Sequence, residues 1–269
     1  MKPKTNKTGL ALGGGAVLGA AHVGVLRALK ESDIKISYIA GTSIGALVAA
    51  LYAFGIKCDE IEEIASDLKW LDIVSLTLSQ YGLLSNEKLG ELLIKHIGEK
   101  NIEDANIPLA MVATDVSTGE KVTIKKGPVA DAVMASTAIP GIFKPVEIGD
   151  KLLVDGGIVE NVPVSTVTGL GAKYVIGVDL NAKHKYERPG NIIEVLLNSF
   201  HFTLMASAKL QTKEADFLIQ PDLSEFNRSD TDQVKNLIIK GYEDSIKALK
   251  KFNPKKSRSR KWNWFGKGK

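Results

Sequence analysis

Twice between Leu10 and Phe54 an apolar strand pattern runs through glycines straight into a helical pattern. Leu10–Leu12 reads as a short buried strand ending in Gly13-Gly14-Gly15. Ala20–Lys30 then shows helical spacing, with Val23, Leu26 and Leu29 on one side and Arg27 and Lys30 on the other. Ile34–Ala40 alternates as a strand, and Gly41-Thr42-Ser43-Ile44-Gly45 turns into Ala46–Phe54, a helix apolar on most faces and therefore expected inside. Gly55 ends it. Strand–turn–helix units in succession call for parallel strands joined by crossovers. The remaining pattern continues the theme. Asp59 caps a helix through Leu68, and Asn86 caps one to about Ile97. Strands are expected at Leu109–Thr114, Lys121–Ile124, Leu152–Val154, Tyr174–Leu180 and Phe217–Ile219, with helices at Val129–Thr137, about Ile192–Thr212 and Thr231–Lys251. The predicted fold is α/β, a three-layer α/β/α arrangement with a mostly parallel central sheet and its sites at strand C-terminal ends.

Composition narrows the partners. Nine cations and no acid fall between Lys250 and Lys269, which leaves a net −5 on the preceding residues of a chain whose total is +4. An acidic body with a basic tail is not the footprint of a nucleic-acid-binding domain, and no nucleic-acid partner is expected. Cys58 is the single cysteine, so neither an intrachain disulfide nor a thiolate metal cage can form. Lys2, Lys4 and Lys7 ahead of an apolar run have the outline of a secretory leader. That run is glycine-rich and continues into a patterned helix carrying His22 and Arg27, so it is read as part of the fold. With no apolar stretch near the ~20 residues of a membrane span, a cytoplasmic location is expected. The organisation expected is a short basic segment at 1–8, a core at 9–180, a C-terminal part of the same domain at 181–252, and a basic aromatic tail at 253–269, disordered.

The chemistry gathers at three glycine-flanked positions. In Gly41-Thr42-Ser43-Ile44-Gly45 the serine would stand on a tight strand-to-helix turn, where a Cβ on either flank clashes and the hydroxyl is exposed beside the helix N-terminus. Gly13-Gly14-Gly15-Ala16-Val17-Leu18-Gly19 fails both nucleotide fingerprints: position 18 is leucine where a dinucleotide loop needs glycine, and Ala20 stands where a P-loop needs lysine. Unshielded backbone N–H groups remain, suited to an oxyanion or to close packing alone. Asp155-Gly156-Gly157 follows the Leu152–Val154 strand, where an aspartate is placed to meet Ser43 at the same sheet edge. Neither His184, in a polar run, nor His201, in mid-helix, is placed to complete a triad, so a Ser–Asp pair without histidine is favoured.

With these residues in view, the chain resembles the bacterial patatin-like phospholipases, lipid acyl hydrolases with a serine–aspartate dyad. The likeness runs from about Gly9 to Leu180, more weakly through Ala215–Pro221. It rests on the glycine loop leading into Ala21-His22-Val23-Gly24-Val25-Leu26, the Gly41–Gly45 elbow, Ala135-Ser136-Thr137-Ala138-Ile139-Pro140, and Asp155-Gly156-Gly157 with Asn161 and Pro163. The resemblance implies Ser43 as nucleophile, Asp155 as its base, and the backbone of Gly13, Gly14, Gly15 and Ala16 as oxyanion hole. Gly41, Gly45, Gly156 and Gly157 support those motifs. It implies a lipid or phospholipid substrate and neither cofactor nor metal. The family usually carries arginine or lysine where this chain has Leu18, which puts a cation at that point of the loop in doubt.

Two further segments bear on substrate. The apolar, irregular stretch Trp70–Leu84 is a candidate acyl channel or interfacial lid, with core packing as its alternative. Trp262, Trp264 and Phe265 among the tail's cations suit an anionic bilayer surface, which would make the protein peripheral to the membrane. Two other functions stay open: an inactive lipid-binding or regulatory adaptor, and an acyltransferase.

Overall fold

The computed structural model describes residues 7–67, 75–76, 82–183 and 188–253. Its strands are β1 (Thr8–Leu12), β2 (Tyr38–Thr42), β3 (Ser75–Leu76), β4 (Gly82–Ser85), β5 (Leu109–Asp115), β6 (Lys121–Ile124), β7 (Gly141–Phe143), β8 (Val146–Ile148), β9 (Lys151–Asp155), β10 (Tyr174–Val178) and β11 (Phe217–Ile219). Its α-helices are α1 (Ala21–Glu31), α2 (Ile44–Ala53), α3 (Cys58–Asp67), α4 (Glu87–Ile97), α5 (Val129–Thr137), α6 (Gly157–Glu160), α7 (Val164–Gly169), α8 (Ile192–Gln211) and α9 (Val234–Leu249).

The main sheet has the order β11-β10-β1-β2-β5-β9-β8, with β6 also paired to β5. From β11 through β5 every pairing is parallel. Beyond β5 the sheet changes character: β6, β9 and β8 all pair antiparallel. The chain steps from β1 to β2 on one side and later returns to β10 on the other. The loop after β1 therefore sits at a switch point, where open α/β sheets place their ligands.

Alternation sorts each central strand into a large face and a small one. Leu10, Leu12, Ile39, Met111, Ile176 and Val178 join one core with α1, α2, α3, α5 and α9. Their neighbours Ala11, Ala40, Ala110 and Val175 face a thinner layer holding Val164 and Val167 of α7 and Ala208 of α8. Ile219, Leu223, Val234 and Leu237 lie in the same core as Leu10, so residues 217–238 pack with the N-terminal strands.

Several boundaries differ from the sequence reading. The strand expected from Ile34 begins at Tyr38, because Ile34 N–H still bonds Leu29 O while the chain leaves α1. α2 starts two residues earlier than expected and makes Ser43 its N-cap. Residues 254–269 of the basic aromatic tail and residues 1–6 lie outside the described residues, as does most of Trp70–Leu84, of which only β3 and β4 are described. Among the described residues no helix is long and apolar enough to cross a membrane.

Candidate active site

Ser43 sits between β2 and α2 at φ 53°, ψ −131°, a left-handed conformation that side chains rarely adopt. The flanking glycines allow the bend. A Cβ on Gly41 would stand 2.2 Å from Gly45 O, and one on Gly45 would stand 2.3 Å from Leu12 O. Ser136 of α5 fixes the elbow from outside. Its Oγ donates to Val112 O at 2.6 Å and accepts from Ser43 N–H at 2.9 Å, tying the turn to β5.

The glycine loop follows β1, the parallel neighbour of β2, so the two turns lie side by side. A Cβ on Gly14 would stand 3.0 Å from the Ser43 Cβ. The amides of this loop divide into two pairs. Gly13 N–H donates to Val178 O at 3.1 Å, and Gly14 N–H is shared between Asn161 O at 3.3 Å and Asn161 Oδ1 at 3.2 Å. Gly15 and Ala16 N–H have no acceptor among the described residues, and Ala16 holds φ 52°. Of the four amides expected from the sequence to face an oxyanion, Gly15 and Ala16 are thus the two left without an acceptor among the described residues. Gly13 and Gly14 are consumed in framing the loop, because β10 and Asn161 lie directly against them.

The loop carbonyls are held as well. His22, fully buried, donates from Nε2 to Gly13 O at 2.7 Å. Burial pushes its imidazole down to about 4, with the Gly13 bond opposing the shift, so it is neutral at pH 7. Asn181 Nδ2 donates to Gly14 O at 2.8 Å, and Arg228 donates from Nη2 to Asn181 Oδ1. The Arg228 carbonyl accepts from Val17 N–H at 3.2 Å. Leu18 is buried in the core, so the cation that reaches this loop's scaffold is Arg228, supplied from the far end of the chain. His22, Asn161, Asn181, Ser136 and Arg228 gained no role from the residues alone. The local signal that some of them carry is a polar side chain amid apolar neighbours, as with Ser136 in α5.

Asp155 reaches the site by a route the sequence did not disclose. β9 runs antiparallel to β5, with Asp155 opposite Ala113, while Thr42 on the other side of β5 is level with Val112. Asp155 thus comes level with the end of β2, but on a strand that runs opposite to the parallel ones. An antiparallel strand stops midway across β5 and brings its last residue level with the elbow. Asp155 is fully buried, its N–H bonded to Ala138 O at 2.8 Å and its carbonyl accepting from Thr114 Oγ1 at 2.9 Å. Burial raises its carboxyl to about 6, against the opposing effects of the Ser43 hydroxyl and the Gly157 N–H. Oδ1 accepts from Gly157 N–H at 2.8 Å, whereas Oδ2 has no partner at hydrogen-bond geometry among the described residues. Gly156 lets the turn approach β5: a Cβ there would stand 2.1 Å from Val112 O. Gly157 gives Leu204 of α8 room above the aspartate.

A cleft opens beside Ser43. Ile44, Leu47, Val48 and Leu51 form one stripe of α2, faced by Ile61 and Ile64 of α3. The wall is almost wholly apolar, able to take a hydrocarbon chain. Among the described residues no group of His, Cys, Asp or Glu is arranged to hold a metal ion.

Fold and cleft together define an α/β protein with a serine at a strand–helix elbow, a glycine loop alongside it and a buried aspartate opposite. The chain belongs to the patatin-like phospholipase family, whose model matches residues 10–168. It is 39% identical over 178 residues to an NTE family protein of Mycobacterium bovis, covering 65% of this chain and 49% of that protein. It is 33% identical over 188 residues to a lysophospholipase of Mycosarcoma maydis, covering 65% of this chain and 10% of that one. The chain thus spans about half the length, or less, of these curated relatives. Its fold is similar to that of VipD from Legionella pneumophila, with a TM-score of 0.56 at 14% identity, over 91% of this chain and 67% of that structure.

Proposed function

We propose that the chain is a lipid acyl hydrolase that cleaves carboxylic ester bonds through a Ser43 acyl-enzyme, with Asp155 as the base. The observation that supports this reading is the placement of the buried Asp155 level with the Ser43 elbow across β5, with Ser43 itself lining an apolar cleft. The Ser43 oxygen attacks the ester carbonyl while Asp155 takes its proton. The oxyanion that forms accepts from the N–H groups of Gly15 and Ala16. Collapse returns the proton to the departing alcohol, leaving the acyl group on Ser43. Water then gives its proton to Asp155 and attacks the acyl-enzyme, releasing the fatty acid and restoring the serine. An aspartate at its ordinary value near ~3.9 is a poor base for a hydroxyl. Burial narrows that gap, which supports proton transfer over mere orientation of Ser43.

The relatives' names, phospholipase and lysophospholipase, support a glycerophospholipid substrate. The tail's cations and indoles would add contact with an anionic membrane surface. The test is a lipid panel assayed for released fatty acid with wild-type and Ser43→Ala protein. Release by the wild type alone supports the reading, and equal release by both removes it. Acyl transfer to an added alcohol in place of water would mark an acyltransferase, and binding without turnover an adaptor.

A further inference from the structure

Of the eight large hydrophobic side chains exposed among the described residues, five stand on α8: Ile192 at 75%, Val195 at 47%, Leu196 at 46%, Phe202 at 53% and Leu210 at 66%. They recur at helical spacing with Ser199, Thr203 and Ala206 between them, forming one stripe whose charged neighbours are Glu194 and Lys209. The opposite face is apolar too, and it covers the site. Leu204 fills the space beside Gly157 and Asp155, while Leu197 and Phe200 pack on the cluster of Ala138, Ile139, Ile142 and Phe143. Ile139 and Phe143 also line the cleft. A helix apolar on both faces belongs inside a protein, yet half of this one meets solvent.

We propose that the outer face of α8 docks on the lipid surface of a membrane. The occupant follows from dimensions. Ile192 to Leu210 spans about 27 Å of helix, and a strip about 10 Å wide offers roughly 300 Å². A stable protein interface needs about 800 Å² from each partner, so one such strip falls well short of holding a second copy or another protein. A single helix lying in the interface plane is enough for a bilayer, which accepts each apolar side chain independently. Arg188 before the helix and Lys209 in its last turn are both exposed, as is Glu194 in its first turn. The link to catalysis rests on the hydrolase reading above; the docking itself does not.

The test compares wild-type full-length chain with the doubly substituted Leu196→Gln, Leu210→Gln chain on pure phosphatidylcholine vesicles, where tail cations gain nothing from lipid charge. Flotation should show the variant binding at least tenfold more weakly, with fatty-acid release from those vesicles falling in parallel. Hydrolysis of soluble p-nitrophenyl butyrate should stay at the wild-type rate, which also reports an intact fold. Equal vesicle binding by both proteins overturns the proposal, as does a wild type that ignores neutral vesicles. A wild-type dimer that the variant loses would assign the face to a second copy instead. If the wild type binds as expected but cleaves neither ester, the catalytic reading fails and the docking stands.

Discussion

Two buried ionisable groups flank the cleft, His22 beneath the glycine loop and Asp155 across from the elbow, and burial drives both toward neutrality. His22 falls to about 4 and Asp155 rises to about 6. Their situations at pH 7 differ. His22 is neutral whether the chain is folded or not, and its Nε2 proton is used on Gly13 O. Asp155 is held ionised inside the protein with one oxygen unpartnered at hydrogen-bond geometry. The first group builds the site at no electrostatic cost. The second carries a desolvation penalty of the kind that clusters at functional sites.

Removing that penalty should have the largest effect. Asp155→Asn is expected to lower turnover by about 10²- to 10⁴-fold, the range for a lost general base. The same change should stabilise the protein near pH 8 by roughly 3 kcal/mol, since the carboxyl's rise of about two pH units no longer opposes folding. Urea unfolding of both proteins checks the sign. A variant both slower and less stable would mean that Asp155 is a structural acid.

His22 should behave in the opposite way. His22→Phe leaves Gly13 O buried without its donor, and a loss of about 1–3 kcal/mol is expected. Turnover should fall about tenfold with little change in KM, because the loop loses its setting and the cleft does not.

The pH dependence sharpens the contrast. Activity should rise through about pH 6 and level off as Asp155 deprotonates. For stability the signs oppose. A raised aspartate favours the fold below its unfolded value and loses that contribution as pH climbs through about 6. A lowered histidine costs stability once the unfolded chain takes up a proton below its ordinary 6.5, so its effect improves as pH rises from about 4 to 6.5. From this pair the wild type should show a nearly flat stability profile between pH 4 and 6. Asp155→Asn should show stability climbing with pH there, as His22 acts alone.

The smallest expected effect is at the elbow. Ser43→Gly relieves the left-handed backbone and should gain about 1 kcal/mol, whereas Ser43→Ala keeps the strain and gains nothing. Thermal melts of the two variants side by side decide it.

The strand–glycine–helix junctions were legible because their signal is local: apolar runs, glycines at the bend, helical spacing after. The elbow, and Ser43 and Asp155 as candidates, could be named on that basis and on family likeness. The direction of β9 could not, since alternation along Lys151–Asp155 is the same read either way. Nor could the division of the loop amides, which depends on Asn161 and β10 arriving beside Gly13 and Gly14. Asn181 lies 167 positions from the carbonyl it holds, beyond any pattern read along the chain.

The most direct measurement is fluorophosphonate labelling followed by peptide mapping, in wild-type protein and in Asp155→Asn. The account predicts one adduct, on Ser43, formed faster as pH passes 6 in the wild type and slowly at every pH in the variant. An adduct elsewhere, or equal labelling rates in the two proteins, would contradict it.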